Sequence, residues 1–326
     1  MAYNLNEIVQ IKREIEKEWS KKLNVNNIDI GLKYIDGKLT DRIAIRVYVD
    51  KKENVSPKDE IPSSVSGIPT DVIEKIETFE LRVLEMSEEQ TRISEMGQRF
   101  DPLCGGIQIG PCRKVNGNSI RGTLGAIVQT QEGELCALSN FHVLCVDADW
   151  KIKDAVAQPV DTAGCPTNMA GNLLSGTLYG KFGKTERVVD AAIAEIKDRN
   201  VTSNIPGIGK ITGFASPEIG SRVRKVGMVT GLTYGKVEGG LENMSVIPYG
   251  HGIGDVTFKN SIRITADKDH NEIFSQNGDS GAIIVNEHNQ AVGLLFAGTT
   301  DNSITLANDI QELKQTFQIT MYGGDE

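Results

Sequence analysis

Histidine is scarce in this chain. Four occur in 326 residues, His142, His251, His270 and His288, beside two tryptophans. None of them shares a metal-ligand spacing with Cys, Asp or Glu, so no metal and no cofactor are expected. The five cysteines (Cys104, Cys112, Cys136, Cys145, Cys165) are odd in number and form no C-x-x-C pair, which argues against a zinc ribbon or a redox dithiol. They read as reduced thiols of a cytoplasmic protein, with Cys136 joined to Cys145 as the alternative. The glycosylation-like triplets at Asn54, Asn200 and Asn243 then carry no meaning. No run approaches the ~18 apolar residues of a membrane span. The start, MAYNLNEIVQ, lacks the zones of a signal peptide. There is no basic stripe interleaved with aromatics, and the net charge is −9, so neither nucleic acid nor membrane is an expected partner. No internal repeat or low-complexity tract stands out.

What remains is an ordinary globular composition, 39% hydrophobic with 34 glycines, and a length for one large or two medium domains. Residues 1–82 read as a small α+β domain. Leu5, Ile8, Ile11, Ile15, Trp19 and Leu23 recur at helical steps, giving a helix over 4–23 that lies on a small sheet. The alternative is a helix-pair seam that makes a homo-oligomer. Strand-like runs at 28–32 and 43–49 are joined through Asp36-Gly37, a hairpin signal. A Pro- and Ser-bearing stretch leads to another strand near 72–81. Residues 83–103 are charged, poor in branched apolar residues, and read as a linker. From 104 to 326 short β-rich runs alternate with Gly, Asn and Asp turns, as in an all-β barrel architecture. Asn308-Asp309 then caps a closing amphipathic helix.

The most informative residues are Gly278-Asp279-Ser280-Gly281, ahead of the apolar run Ala282-Ile283-Ile284-Val285. A serine hydroxyl becomes a nucleophile only when a base takes its proton and N–H groups hold the oxyanion. His142 ends an apolar strand in Ser139-Asn140-Phe141-His142. Asp190 lies between apolar flanks in Val188-Val189-Asp190-Ala191-Ala192, so it should be buried and need a partner. Asp147 and Asp149 compete for the carboxylate role but read as solvent-facing. His251, His270 and His288 stand in polar, turn-rich surroundings and read as solvated loop residues.

In order and spacing, SNFHVL, DAAIA and GDSG resemble the three catalytic segments of the trypsin/chymotrypsin-like serine peptidases. The closer resemblance is to the intracellular trypsin-like group that includes bacterial proteins and the plant NARROW LEAF 1 proteins. It is extended by Gly122-Thr123-Leu124-Gly125, by the stretch from Gly227 to Thr233, by the stretch from Gly293 to Gly298 and, more weakly, by Ile61-Pro62 and the residues from Gly67 to Glu74. The resemblance implies a mainly β, chymotrypsin-like double β-barrel over 104–326 and a serine endopeptidase acting on protein or peptide substrates. Ser280 would be the nucleophile, His142 the base and Asp190 its orienting acid. Gly278 and Ser280 N–H would form the oxyanion hole, and Phe274, Phe296 and Gly298 would line the substrate cleft. With Phe274 at the pocket base, an uncharged residue is expected before the scissile bond. The rate should rise through the range in which an imidazole loses its proton. Cys104-Gly105-Gly106-Ile107 lacks the basic residue of a zymogen cleavage site, which leaves Asp279 without its usual ammonium partner and points to another mode of regulation. The alternative function is a catalytically silent or partner-activated regulatory scaffold.

Overall fold

The computed structural model describes residues 4–75, 77–86, 95–160, 165, 167–178, 180–182 and 185–324. At the N-terminus Asn4 caps the helix Leu5–Trp19, its side chain accepting from Asn6 N. The helix lays Ile8 and Trp19 on the antiparallel hairpin Val25–Ile35 and Lys38–Val49, against Ile28, Ile30, Ile45 and Val47. Asp36 and Gly37 turn that hairpin with positive φ at both positions (50° and 73°), the conformation that matches strand twist. Ile68–Glu74 adds to it in parallel.

Six strands of the C-terminal half, Arg222–Gly227, Ile283–Val285, Gln290–Thr299, Thr305–Asp309, Ile262–Ala266 and Gly231–Leu241, pair in that order. Pairing of the first with the last closes a barrel, and the fold is mainly β as expected. The N-terminal hairpin is not a separate sheet. Val25–Ile35 pairs with Gly231–Leu241, so that barrel and hairpin form one 12-stranded sheet. The join is tight: a Cβ on Gly239 would lie 2.6 Å from Gly31 Cα. Beside it the buried Arg46 donates to Asp29 (2.7 and 2.6 Å) and to Glu238 (2.5 Å). The equally buried Arg263 makes a two-pronged bond to Glu77 (2.7 and 2.6 Å). Such charges are held inside only because each has a close partner.

A 9-stranded sheet forms the other half. Its core run is Ala126–Gln129, Leu135–Ser139, Ala191–Ile196, Met169–Thr177, Ala155–Ala157, Gln108–Pro111 and Ser119–Thr123. The residues expected as a linker are partly strand: Leu84–Met86 is the edge of this sheet, paired with Ser119–Thr123. Just upstream, Phe79–Leu81 pairs with Gln290–Thr299 of the other sheet. The chain therefore crosses from one sheet to the other at Arg82 and Val83. The C-terminal helix Ile310–Phe317 is capped by Asp309, and Thr320–Met321 returns to the 9-stranded sheet.

One cysteine expectation is corrected. Cys112 and Cys165 are joined, with Cα atoms 5.3 Å apart, whereas Cys104, Cys136 and Cys145 are free and buried. A 53-residue separation gave no spacing signal for that pair. Burial raises the free thiols: Cys104 to about 11 and Cys136 to about 12. No helix among the described residues is long and apolar enough to cross a membrane.

Candidate active site

Strand register brings His142 and Asp190 together. Leu135–Ser139 and Ala191–Ile196 are antiparallel, with Ser139 opposite Ala192. The residues just past one strand end and just before the other therefore meet. His142 sits in the single turn Phe141–Leu144, and Asp190 is fully buried. Asp190 Oδ2 hydrogen-bonds His142 Nδ1, and Oδ1 accepts from His142 N (3.2 Å). The backbone of Asp190 is pinned on both sides. Its N–H donates to Asn308 Oδ1 (3.1 Å), and its carbonyl accepts from Asn308 Nδ2 (3.1 Å) and Asn140 Nδ2 (2.8 Å).

The other face of the imidazole meets the serine. His142 Nε2 lies 2.8 Å from Ser280 Oγ, which is also 3.0 Å from Phe296 O. The turn carrying Ser280 is shaped by glycine. Gly281 has φ 93°, and a Cβ there would lie 2.1 Å from Thr123 O and 2.3 Å from Ser139 Oγ. Gly278 also has positive φ (106°). The Gly278 and Ser280 amides converge on one acceptor, the carbonyl oxygen of Arg82, at 2.6 and 3.0 Å.

Asp279, whose partner the sequence left open, is saturated from within. Its carboxylate accepts from Val229 N (3.0 Å), Thr230 N (3.2 Å), Thr230 Oγ1 (2.7 Å) and Gln276 N (3.0 Å). The Lys225 ammonium stands 3.5 Å away, both side chains being fully buried. An internal lysine thus supplies a positive charge beside this buried carboxylate.

Of the residues expected in the cleft, Phe296 and Gly298 lie on the strand that pairs with Phe79–Leu81. Phe296 O also accepts from Arg82 N (3.1 Å). Phe274 is elsewhere in character: it is buried in the barrel core with Val223, Val237 and Ile284, with Lys225 Nζ 5.6 Å from its ring centroid. A charged side chain from the upstream segment is buried next to the strand of Phe296 and Gly298. It is Arg82, 1% exposed, donating to Glu80 Oε1 (2.7 Å), Asn277 Oδ1 (3.2 Å) and Thr299 O (2.5 Å). Asp147 is buried rather than solvent-facing, because it pairs with Arg113 at 2.6 Å; Asp149 is exposed. His270 and His288 are exposed, and His251 meets Glu85 at 2.9 Å.

Tyr249 escaped sequence reasoning, since nothing in its strand Met244–Tyr249 marks it. Its hydroxyl donates to Asp190 Oδ2 at 2.5 Å. A hydrogen bond to a charged group contributes about 1.5–3 kcal/mol, so Tyr249→Phe should loosen the carboxylate without emptying the core. The expected outcome is a fall in kcat of roughly 10- to 100-fold with KM little changed. Steady-state kinetics on a peptide substrate check it, and an unchanged kcat would make Tyr249 a packing residue only.

Against known proteins, the sequence matches no family model and no curated protein. Comparison of structures returns serine proteases. A glutamic-acid-specific serine protease aligns over 68% of this chain and 100% of its own, at 18% identity and a TM-score of 0.46. Thermobifida fusca Protease A covers 67% of this chain and 97% of its own, at 20% identity and a TM-score of 0.45. A Cellulomonas bogoriensis chymotrypsin covers the same shares, at 21% identity and a TM-score of 0.44. Each likeness concerns the fold.

Proposed function

We propose that the chain is a serine endopeptidase. The observation that carries this reading is the unbroken series Asp190–His142–Ser280, with two N–H groups beside the hydroxyl directed at one carbonyl oxygen. In the reaction Ser280 Oγ attacks a peptide carbonyl and His142 Nε2 takes its proton. Asp190 holds the ring in the tautomer whose Nε2 is free to accept, and steadies the imidazolium. Gly278 and Ser280 N–H stabilise the oxyanion, a contribution of about 3 kcal/mol per donor in favourable cases. The imidazolium proton passes to the leaving amine, and water hydrolyses the acyl-enzyme. Three buried free thiols fit a reducing, cytoplasmic setting; the Cys112–Cys165 pair is the observation on the other side.

The second reading, a silent or partner-activated scaffold, is favoured by one feature. Ser280 is fully buried, and the Gly278 and Ser280 amides are already engaged by Arg82 O. A fluorophosphonate probe separates the readings when applied both to the full chain and to Leu81→Pro/Arg82→Pro. The prolines remove the N–H that Arg82 donates to Phe296 and unseat the segment. An adduct on Ser280 in either form, absent from Ser280→Ala, is expected. No adduct in either form would leave the scaffold.

A further inference from the structure

Residues 79–86 run through the cleft as a substrate would. Upstream of Arg82, Glu80 lies opposite Gly298 and Leu81 opposite Ala297 in an antiparallel ladder, the mode by which extended peptides add to a sheet edge. Arg82 N donates to Phe296 O, and Arg82 O receives both Gly278 N and Ser280 N. Downstream, Leu84–Met86 pairs with Ser119–Thr123 on the opposite sheet. The serine turn thus holds a carbonyl oxygen whose chain is paired to a sheet on both sides of it. The arginine side chain is fitted too: a Cβ on Gly298 would lie 2.6 Å from Arg82 Nε, so only glycine leaves room for it.

We propose that the Arg82-Val83 bond is this protein's own substrate, cut within the same molecule, and that the pocket selects arginine preceded two residues earlier by an acid. The inference rests on the peptidase reading above. Ser280 Oγ attacks the Arg82 carbonyl carbon as its proton moves to His142. The C–N bond to Val83 breaks, and the imidazolium proton goes to the Val83 nitrogen. Water then cleaves the Arg82 ester, leaving a carboxylate on Arg82 and restoring Ser280. The acid before the arginine matters because, among the described residues, the carboxylate hydrogen-bonded to the guanidinium is Glu80 of the same segment, whereas the cleft contributes the neutral acceptors Asn277 Oδ1 and Thr299 O, with Asp279 and Asp301 acting on it through charge alone.

The cut does not release residues 1–82. Their hairpin remains part of the 12-stranded sheet, with Arg46 bound to Glu238 and Glu77 to Arg263 across the join. Nor is the new Val83 ammonium needed to order the serine turn, since Lys225 already accompanies Asp279. What changes is continuity: Phe79–Leu81 on one sheet and Leu84–Met86 on the other are no longer one chain, so each half can leave its sheet edge independently of the other.

The test uses the full chain, synthesised in vitro at concentrations spanning a hundredfold and followed by intact-mass spectrometry. Wild type should yield residues 1–82 and a fragment beginning at Val83, with a rate constant independent of dilution. Ser280→Ala should stay whole, and Arg82→Gln should be cut roughly a hundredfold more slowly or worse, its pocket acceptors left unpaired. A rate that falls with dilution, a cut elsewhere, or equal cutting of Arg82→Gln overturns the proposal. If wild type stays whole while Leu81→Pro/Arg82→Pro takes the fluorophosphonate on Ser280, self-cleavage fails and the peptidase reading stands. If neither form is labelled, both fail.

Discussion

Asp190→Asn should lower the acylation rate by about four orders of magnitude while the protein stays folded. The geometry says why so small a change is so costly. The carboxylate faces three groups, His142 N–H, the His142 Nδ1 edge and the Tyr249 hydroxyl. An asparagine has one oxygen and one NH2 to place among them. If its oxygen keeps the His142 N–H, its NH2 points at Nδ1, which must then be the unprotonated nitrogen. The ring proton moves to Nε2, the atom 2.8 Å from Ser280 Oγ, and the base cannot accept. If the amide is reversed, two donors confront one another at the His142 backbone. Either way the side chain remains buried and close to isosteric, and Asn140 and Asn308 still hold its backbone. Fluorophosphonate labelling kinetics of a form with an open cleft, read beside the urea midpoint, check this. An unchanged midpoint with a rate near wild type would remove Asp190 from the mechanism.

The sequence made the site legible because its three segments each carry local chemistry: an apolar strand end before His142, apolar flanks around Asp190, and glycines around Ser280. The N-terminal hairpin was legible through Asp36-Gly37 for the same reason. The supporting groups were not. Tyr249 and Asn308 reach Asp190 from 59 and 118 residues away, and ordinary polar residues at such separations leave no pattern. Lys225 reads as one more strand lysine until the fold places it 3.5 Å from Asp279. The segment around Arg82 was hidden by its shape. It contributes three residues to one sheet and three to the other, too short for a periodic signal, and its charged surroundings suggest a linker. The continuity of the N-terminal hairpin with the barrel was equally silent. It depends on the close approach of Gly31 and Gly239, which no local rule singles out.

Lys225→Met should have the largest effect on stability. Lys225 and Asp279 are both fully buried, and burial pulls the lysine below its ordinary value while Asp279 opposes that fall. Methionine keeps most of the side-chain volume, and its sulfur suits the face of Phe274, over which the ammonium now sits. What is lost is charge, together with the hydrogen bonds that the ammonium donates to Thr230 Oγ1 and Gly231 O. The carboxylate keeps Val229 N, Thr230 N, Thr230 Oγ1 and Gln276 N as donors but loses the ammonium 3.5 Å away. Breaking a buried pair in this way typically costs about 3–5 kcal/mol, a large part of the roughly 5–15 kcal/mol that holds a domain together. The companion change decides the cause. Asp279→Asn on top of Lys225→Met removes the stranded charge yet leaves an oxygen for the Val229 and Thr230 amides. The double variant should therefore recover most of the urea midpoint lost by the single one. Its effect on turnover should be milder as well, because Asp279 lies between the two residues whose amides converge on Arg82. A single variant as stable as wild type would mean that four hydrogen bonds suffice for the buried carboxylate, and that its pairing with Lys225 is dispensable.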